Sequence, residues 1–507
     1  MPAIDVVIAG AGPNGLMLAC ELRLAGIRPI VLERLTERSG EQRANGLVGQ
    51  VVPLLHRRGL YEPLTGLPAP APAPRYIFGA FPLDLSTLPV NPVYVLPIQQ
   101  YELEKALEER ALSLGVEIRR GHEVAGFTQG ESVQVTVDGP QGTYTVDAQF
   151  LIGADGGRST VRKLAGIEFP GVTWDKVLSY TVDVSVPDEL VDPATGGLRV
   201  DGIGTVPPFQ HFRTEAGLFV WAPFPNAPRR IAVSERSEAE FPDDEAPTLD
   251  EVRASIRRVL GVDVPIAAPA GPGPHQLRRV TGGNTRIAER FRAGRVLLVG
   301  DAAHVHSAIG GPGLNLGLQD AVNLAWKLAA EVRGWAPADL LDTYEAERQP
   351  VSRRVVMHTQ AQGVLTGPGP EITALRELFG ELLGYQDVRQ HIADLLSGAD
   401  LRYGDDPHPL AGRWAPNLAS EAVARAYRAA RPVLVDLTAD GSVVAAAGPW
   451  RDRVDAVIAT EDLDATALLI RPDGYVAWAS SDAQPDTADL EKALLRWFGA
   501  PVTTAAG

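Results

Sequence analysis

The chain has a single cysteine, Cys20, among its 507 residues. That excludes an internal disulfide, a Cys-x-x-Cys redox pair and a cysteine-built metal site, so any redox work must come from a bound cofactor. Positive charge is scarce as well. Lys and Arg total 47 against 63 Asp and Glu, a formal charge of −16 with a pI near 5.1, which argues against nucleic acid and anionic membranes as partners. No stretch approaches the ~18 consecutive apolar residues of a membrane span. The N-terminus opens directly into a polar-flanked strand instead of a signal peptide, so the expected compartment is cytoplasmic and no membrane partner is expected. What the chain does have is length for two or three domains and a hydrophobic fraction of 45%, ample for large packed cores.

Three separated segments each read as a strand running into a glycine-rich turn: Val6 to Gly15, Leu151 to Ser159 and Val296 to His304. In the first, the apolar run Val6 to Ala9 is followed by GxGxxG at Gly10, Gly12 and Gly15, with Pro13 and Asn14 inside the turn. A helical pattern through Leu16, Ala19, Cys20 and Leu24 then stops at Gly26. Such glycines let the backbone approach a pyrophosphate, which the positive end of the helix stabilises. A second strand, Ile30 to Leu32, ends in Glu33 and Arg34, where an acidic side chain accepts from ribose hydroxyls and disfavours a 2′-phosphate. This site suits FAD or NAD better than NADP. Cys20, among apolar neighbours on the helix, reads as core.

The third segment ends in Asp301 and leads through Gly310-Gly311-Pro312-Gly313 into an amphipathic helix with Leu314, Leu318, Ala321, Ala325 and Leu328 on one side. A helix N-terminus reached in this way can aim free N–H groups at an electron-rich ring.

The motifs Gly300-Asp301-Ala302-Ala303-His304, Gly310 to Asn315, Asp155 to Arg162 and Gln100 to Leu107 together resemble the para-hydroxybenzoate hydroxylase family of flavoprotein monooxygenases over residues 4 to 360. Within it, the aromatic polyketide hydroxylases of actinomycetes are similar in their long C-terminal extension, with Gly412 to Pro416 and Ile470 to Trp478. The resemblance implies roles residue by residue. Gly10, Gly12, Gly15 and Glu33 would hold the ADP half, Gln100 and Asp155 would lie near the pyrophosphate, Asp301 near the ribityl or phosphate region, and Val124 would meet the adenine through its backbone. Gly313, Leu314 and Asn315 would face the isoalloxazine, and Arg43 would lie near the flavin and influence NAD(P)H use. The implied reaction is hydroxylation of a polycyclic aromatic polyketide by dioxygen through a flavin hydroperoxide. NAD(P)H, with NADPH favoured, would be a visiting co-substrate, since no second nucleotide fold is present; a homo-oligomer is left open. Ala308 stands where the family usually has proline, Pro312 where it often has glutamine, and Gln50 to Pro53 alters the usual helix. Two rivals stay open: Baeyer–Villiger oxidation, oxidative cleavage or antibiotic inactivation on the same fold, and a non-oxygenase FAD binder.

The expected fold is α/β, a Rossmann-like FAD-binding domain with an inserted β-sheet substrate domain and a C-terminal thioredoxin-like domain. The expected limits are 1–175 and 271–399 for the FAD-binding parts, 176–270 for the substrate sheet and 400–507 for the last unit. Strands are predicted at Tyr180 to Val186, Gln210 to Arg213, Leu218 to Pro223 and Ile231 to Glu235, before a helix capped by Thr248 and Glu251. Trp221 and Phe224 are the aromatics expected to touch substrate, with Ala308, Ile309 and Gly310 from the loop. Leu67 to Pro74 reads as a stiff connector, Asp243 to Glu245 as a solvated loop, and His304 and His306 as loop or pocket histidines, with no metal expected.

Overall fold

A computed structural model describes the chain except for residues 1–3, 39–43, 225–227, 240, 242–245, 272, 274, 308, 439–440 and 502–507. Arg43, Ala308 and Asp243 to Glu245 therefore lie outside the described residues.

Val6–Ala9 has no polar face, and such a strand is stable only inside a sheet covered on both sides. It lies there, parallel to Pro29–Glu33 on one flank and to Phe150–Gly153 on the other. Glu117–Arg120 and Val296–Leu298 extend the parallel sheet outward, and Arg292–Ala293 closes one edge antiparallel. Because the neighbours are parallel, the three glycine turns leave the sheet at one edge. Gly10 N donates to Leu32 O, Ala154 N to Ala9 O and Val299 N to Gly153 O, stitching the three turns to the strand ends. This is the crevice outside the carboxyl ends of parallel strands where α/β folds take their ligands.

A second, six-stranded mixed sheet takes the order His211–Arg213, Gly217–Ala222, Arg229–Arg236, Gly171–Val184, Leu277–Ile287, His304–Val305. It reaches past both expected limits, 176 and 270. Leu277–Ile287 was missed because Arg278, Arg279, Thr281, Gly282, Gly283 and Asn284 leave no apolar alternation, yet it is the principal partner of Gly171–Val184. The expected helix spans Leu249–Leu260, and both halves of the Thr248/Glu251 capping box are made. Its apolar stripe packs on one face of this sheet. The proline run is no free connector, because Pro72 bridges to Tyr94 and Ala73 N donates to Val93 O.

The C-terminal sheet has the order Asp455–Ile458, Val433–Asp436, Ala467–Ile470, Val476–Ser480, with the first pair parallel and the others antiparallel. With the final helix Thr487–Phe498 this is the arrangement expected of a thioredoxin-like unit. It covers the far side of the helix Pro312–Val332, whose Trp326 and Ala330 enter its core. Among the described residues no helix is long and apolar enough to cross a membrane.

Candidate active site

The glycines of the first turn do different jobs. At Gly10, with φ +107°, a Cβ would lie 2.5 Å from Ala154 O, and at Gly15 it would lie 2.1 Å from Gly10 O; at Gly12 it would meet nothing within 4 Å. The first and third let the backbone pack on itself, whereas the second faces open space at the N-terminus of the helix Pro13–Leu24, which no side chain caps. That is a cradle for a pyrophosphate. Glu33 stands at the end of its strand and accepts from Ala11 N at 2.8 Å and Leu35 N at 2.9 Å, which orients its carboxylate along the glycine turn. Arg34 is exposed. Asn14 packs against Gly300 and Gly317, where any Cβ would come within 2.4 Å of its side chain, and so couples the first turn to the third.

The Asp155 carboxylate is committed to its own turn. It accepts from Ser159 Oγ at 2.5 Å, Thr160 N at 2.7 Å and Val161 N at 3.1 Å, and thereby shapes the Gly156-Gly157 turn. Arg162, absent from the sequence-based roles, ties that turn to the third by donating to Gly157 O and Ala302 O. Gln100 opens the helix Gln100–Ser113 and donates from Nε2 to Glu104 at 2.7 Å. Val124 is buried beside a bulge that falls between it and Gly126. Asp301 is half-buried in the short 3₁₀ turn Gly300–Ala302.

Under this turn lies a buried group that sequence reading did not find. Asp320, fully buried, accepts from Gly300 N, holds His304 Nε2 at 2.6 Å and receives Arg348 Nε at 2.7 Å. Arg348 continues to the Tyr403 hydroxyl at 2.8 Å. Burial alone would raise the Asp320 carboxyl, but Arg348 and His304 hold it below its ordinary range. His304 is thus a buried hydrogen-bonded residue, and among the described residues no cluster of His, Cys, Asp or Glu is placed to hold a metal.

The loop before the long helix is held just as firmly. Gly310 and Gly311 both have left-handed φ, +74° and +66°. The Tyr76 hydroxyl donates to Gly310 O at 3.0 Å, and burial pushes that phenol up to about 12, so it remains a donor. Asn315 spends its side chain internally, donating to Gly311 O and accepting from Val48 N, so only its backbone is available to a ligand. Gly313, in the first turn of the helix Pro312–Val332, lies close to His306; Leu314 packs against the main core; Ile309 is half-buried in the loop. Burial holds both His306 and His358 down to about 4, so both rings are neutral near pH 7.

Trp221 is not a ligand contact. It is fully buried on the helix side of the mixed sheet, and its indole N–H is spent on Gly196 O at 2.9 Å. Strand alternation turns it toward the helix Leu249–Leu260. Phe224 is half-buried at the sheet's corner, edge-on to Phe209 at 5.3 Å, with Arg230 above it. Arg230 is held by Asp183 at 2.7 Å and reaches Asn45, which lies two residues from Arg43 in the sequence. The opposite face carries Ser179, Thr181, Ala232 and Ser234, a row of small side chains. Cys20 is buried in the core and burial pushes its thiol up to about 12, which removes it as a nucleophile.

The cradle at Gly12, the uncapped helix ends and Glu33 at its strand terminus fit an FAD laid along this crevice. The FAD binding domain family matches residues 3–359, and the C-terminal domain of aromatic-ring hydroxylases matches residues 408–501. The 12-dehydrotetracycline 5-monooxygenase/anhydrotetracycline 6-monooxygenase of Streptomyces rimosus is 43% identical over 98% of this chain and 99% of its own length. The rifampicin monooxygenase of Streptomyces venezuelae is 39% identical over 98% and 99%. The solved structure of an anhydrotetracycline hydroxylase from Streptomyces rimosus, 40% identical, superposes with a TM-score of 0.85 over 98% of this chain and 99% of its own. With its glycine turns gathered at one sheet edge and both domains matched, this chain belongs to the FAD binding domain family and is an FAD-dependent aromatic monooxygenase.

Proposed function

We propose that the enzyme hydroxylates a polycyclic aromatic polyketide, taking one oxygen atom from dioxygen and its electrons from NAD(P)H, with NADPH favoured. The observation that carries the substrate class is the mixed-sheet face bearing Ser179, Thr181, Ala232 and Ser234, whose small side chains leave room for a flat, multi-ring molecule. The tetracycline-type substrates in the names of the relatives support the same reading.

Bound FAD supplies hydride acceptance and oxygen activation. The chain supplies position. The backbone at Gly12 and the helix behind it hold the pyrophosphate, Glu33 holds the ribose, and the helix N-terminus at Gly313 stabilises negative charge on the flavin's pyrimidine edge. Tyr76 and Asn315 keep the Gly310-Gly311 carbonyls in place, and the neutral rings of His306 and His358 leave this region without added positive charge. Arg43 keeps the role of adjusting NAD(P)H use. Phe224 and the loop at Ala308 to Gly310 border the substrate.

The test is NADPH oxidation with and without polycyclic phenols, followed by product analysis under labelled dioxygen. The expected result is strong stimulation and one labelled atom in the product. Oxygen derived from water, or reduction indifferent to every phenol, would overturn the proposal. A second reading, oxidative inactivation of a finished antibiotic, is favoured by the match to the rifampicin monooxygenase, and rifampicin belongs in the same screen.

A further inference from the structure

The helix Thr343–Thr366 grips the third glycine turn at two points, one helical turn apart. Tyr344 donates its hydroxyl to Leu298 O at 2.7 Å, at the last residue of the strand Val296–Leu298. Arg348, four residues on and fully buried, donates from Nε to Asp320 Oδ1 at 2.7 Å, and the other oxygen of that carboxylate accepts from Gly300 N at 3.2 Å. Gly300 stands at φ +60°, a conformation that glycine leaves as readily as it adopts. Its buried N–H depends on Asp320 for a fixed partner.

The same guanidinium also reaches the helix end assigned above to the flavin. Its Nη2 donates to Leu316 O at 3.2 Å, one residue beyond Gly313-Leu314-Asn315 on the helix Pro312–Val332. Its Nη1 donates to the Tyr403 hydroxyl at 2.8 Å. The Tyr403 ring packs on that of Tyr475 with centroids 4.4 Å apart, and Tyr475, which directly precedes the strand Val476–Ser480 of the C-terminal unit, donates to Gln50 Oε1 at 3.1 Å. One planar, permanently charged fork thus fastens the Gly300-Asp301 turn, the end of the helix Pro312–Val332 and the aromatic pair that leads into the C-terminal unit. A lysine ammonium, a point charge on a flexible stem, cannot reproduce that fork.

We infer that Arg348 is a positioning residue of the FAD site: through Asp320 and Leu316 it holds the Gly300-Asp301 turn and the Gly313 helix end at the spacing the cofactor spans, and Tyr403 fixes Arg348 from the side of the C-terminal unit. The inference rests on the FAD assignment and on the placing of these two segments along the cofactor, and is independent of which aromatic is hydroxylated.

The test is the Kd of the flavin-free protein for FAD, read from the quenching of flavin fluorescence well below the thermal midpoint of each variant, with that midpoint measured alongside. Arg348→Lys keeps a cation near Asp320 but loses the fork, and should raise Kd roughly tenfold, the scale of one lost buried hydrogen bond. Tyr403→Phe removes only the outer anchor and should raise it about threefold. Lys327→Met is the control. It deletes a buried cation from the helix that carries Asp320, one bonded to Asn323 and Glu347 and not to the Gly300 turn, so it should lower the midpoint and leave Kd close to that of the wild type. If Arg348→Lys and Tyr403→Phe lower the midpoint without changing Kd, Arg348 only stabilises the fold and the inference falls. It falls too if Lys327→Met weakens FAD as much as Arg348→Lys does. Should Arg348→Lys not fold, Tyr403→Phe decides: a raised Kd supports the assignment, and an unchanged one overturns it. If the wild type itself binds no FAD, the cofactor assignment fails and this inference with it.

Discussion

Gly12 separates what the fold requires from what the cofactor requires. Its φ of −74° and ψ of 177° are open to any residue, and a Cβ there meets no protein atom within 4 Å. Without FAD, then, Gly12→Val should melt within a few degrees of the wild type, since a side chain in a permitted conformation and open space is nearly neutral. Gly10→Ala should behave differently, because left-handed backbone costs ~1–2 kcal/mol for an L-residue and a contact of 2.5 Å against Ala154 O adds an overpacking cost of ~1–3 kcal/mol. Gly15→Ala brings a Cβ to 2.1 Å from Gly10 O and should destabilise the flavin-free protein comparably. With FAD the order changes. At a hundredfold excess over Kd the cofactor stabilises the wild type by ~2.7 kcal/mol, and Gly12→Val should lose this increment because its side chain fills the pyrophosphate cradle. The assay is the thermal midpoint of each flavin-free protein with and without added FAD. A Gly12→Val protein that still gained the full FAD-dependent rise would refute the cradle, and a Gly15→Ala protein that melted like the wild type would refute the contact geometry.

Two other outcomes follow from buried charge. His306 and His358 are held near 4 in the fold against 6.5 in an unfolded chain, so the unfolded state binds protons that the folded state refuses. Their neutral burial has its full effect above pH ~6.5, and stability declines as pH falls toward 4, by at most ~3 kcal/mol for each ring; urea unfolding of His358→Gln over this range should show a shallower fall, and an unchanged slope would contradict it. Glu347 accepts from Arg471 at 2.6 Å and from Lys327 at 2.7 Å, both buried cations. Glu347→Gln should cost ~3–5 kcal/mol by leaving them under-compensated, and Lys327→Met should cost less because Glu347 keeps Arg471; denaturant midpoints in the reverse order would sink this account.

Much of the fold was legible because its signals are local. Val6–Ala9 with Gly10, Gly12 and Gly15 announces a buried strand and a tight turn, and Thr248 with Glu251 announces a helix start, each through neighbours in the chain. The strand Leu277–Ile287 was illegible because its polar, glycine-containing run is stabilised by long-range pairing with Gly171–Val184. Trp221 shows the limit for side chains: alternation says that a strand has two faces, and only the helix Leu249–Leu260 decides which of them is dry core. Asp320, Asn323 and Lys327 lie at helical spacing on the helix Pro312–Val332, a pattern that says nothing of what they meet. They are buried because Glu347, Arg348 and Asp473, far along the chain, meet them, with Arg471 in turn holding Glu347 and Asp473.

By itself, then, the sequence determined the nucleotide-binding turns, the capped helix after Thr248 and the absence of thiol chemistry, because backbone conformation and glycine spacing are settled within a few residues. Only the tertiary structure decided that Gly12 faces open space while Gly15 does not, that Asp320 holds His304, and that Trp221 is buried against the helix Leu249–Leu260. Those facts depend on which distant atoms come within a few ångströms, and such distances are set by packing rather than by neighbours in the chain.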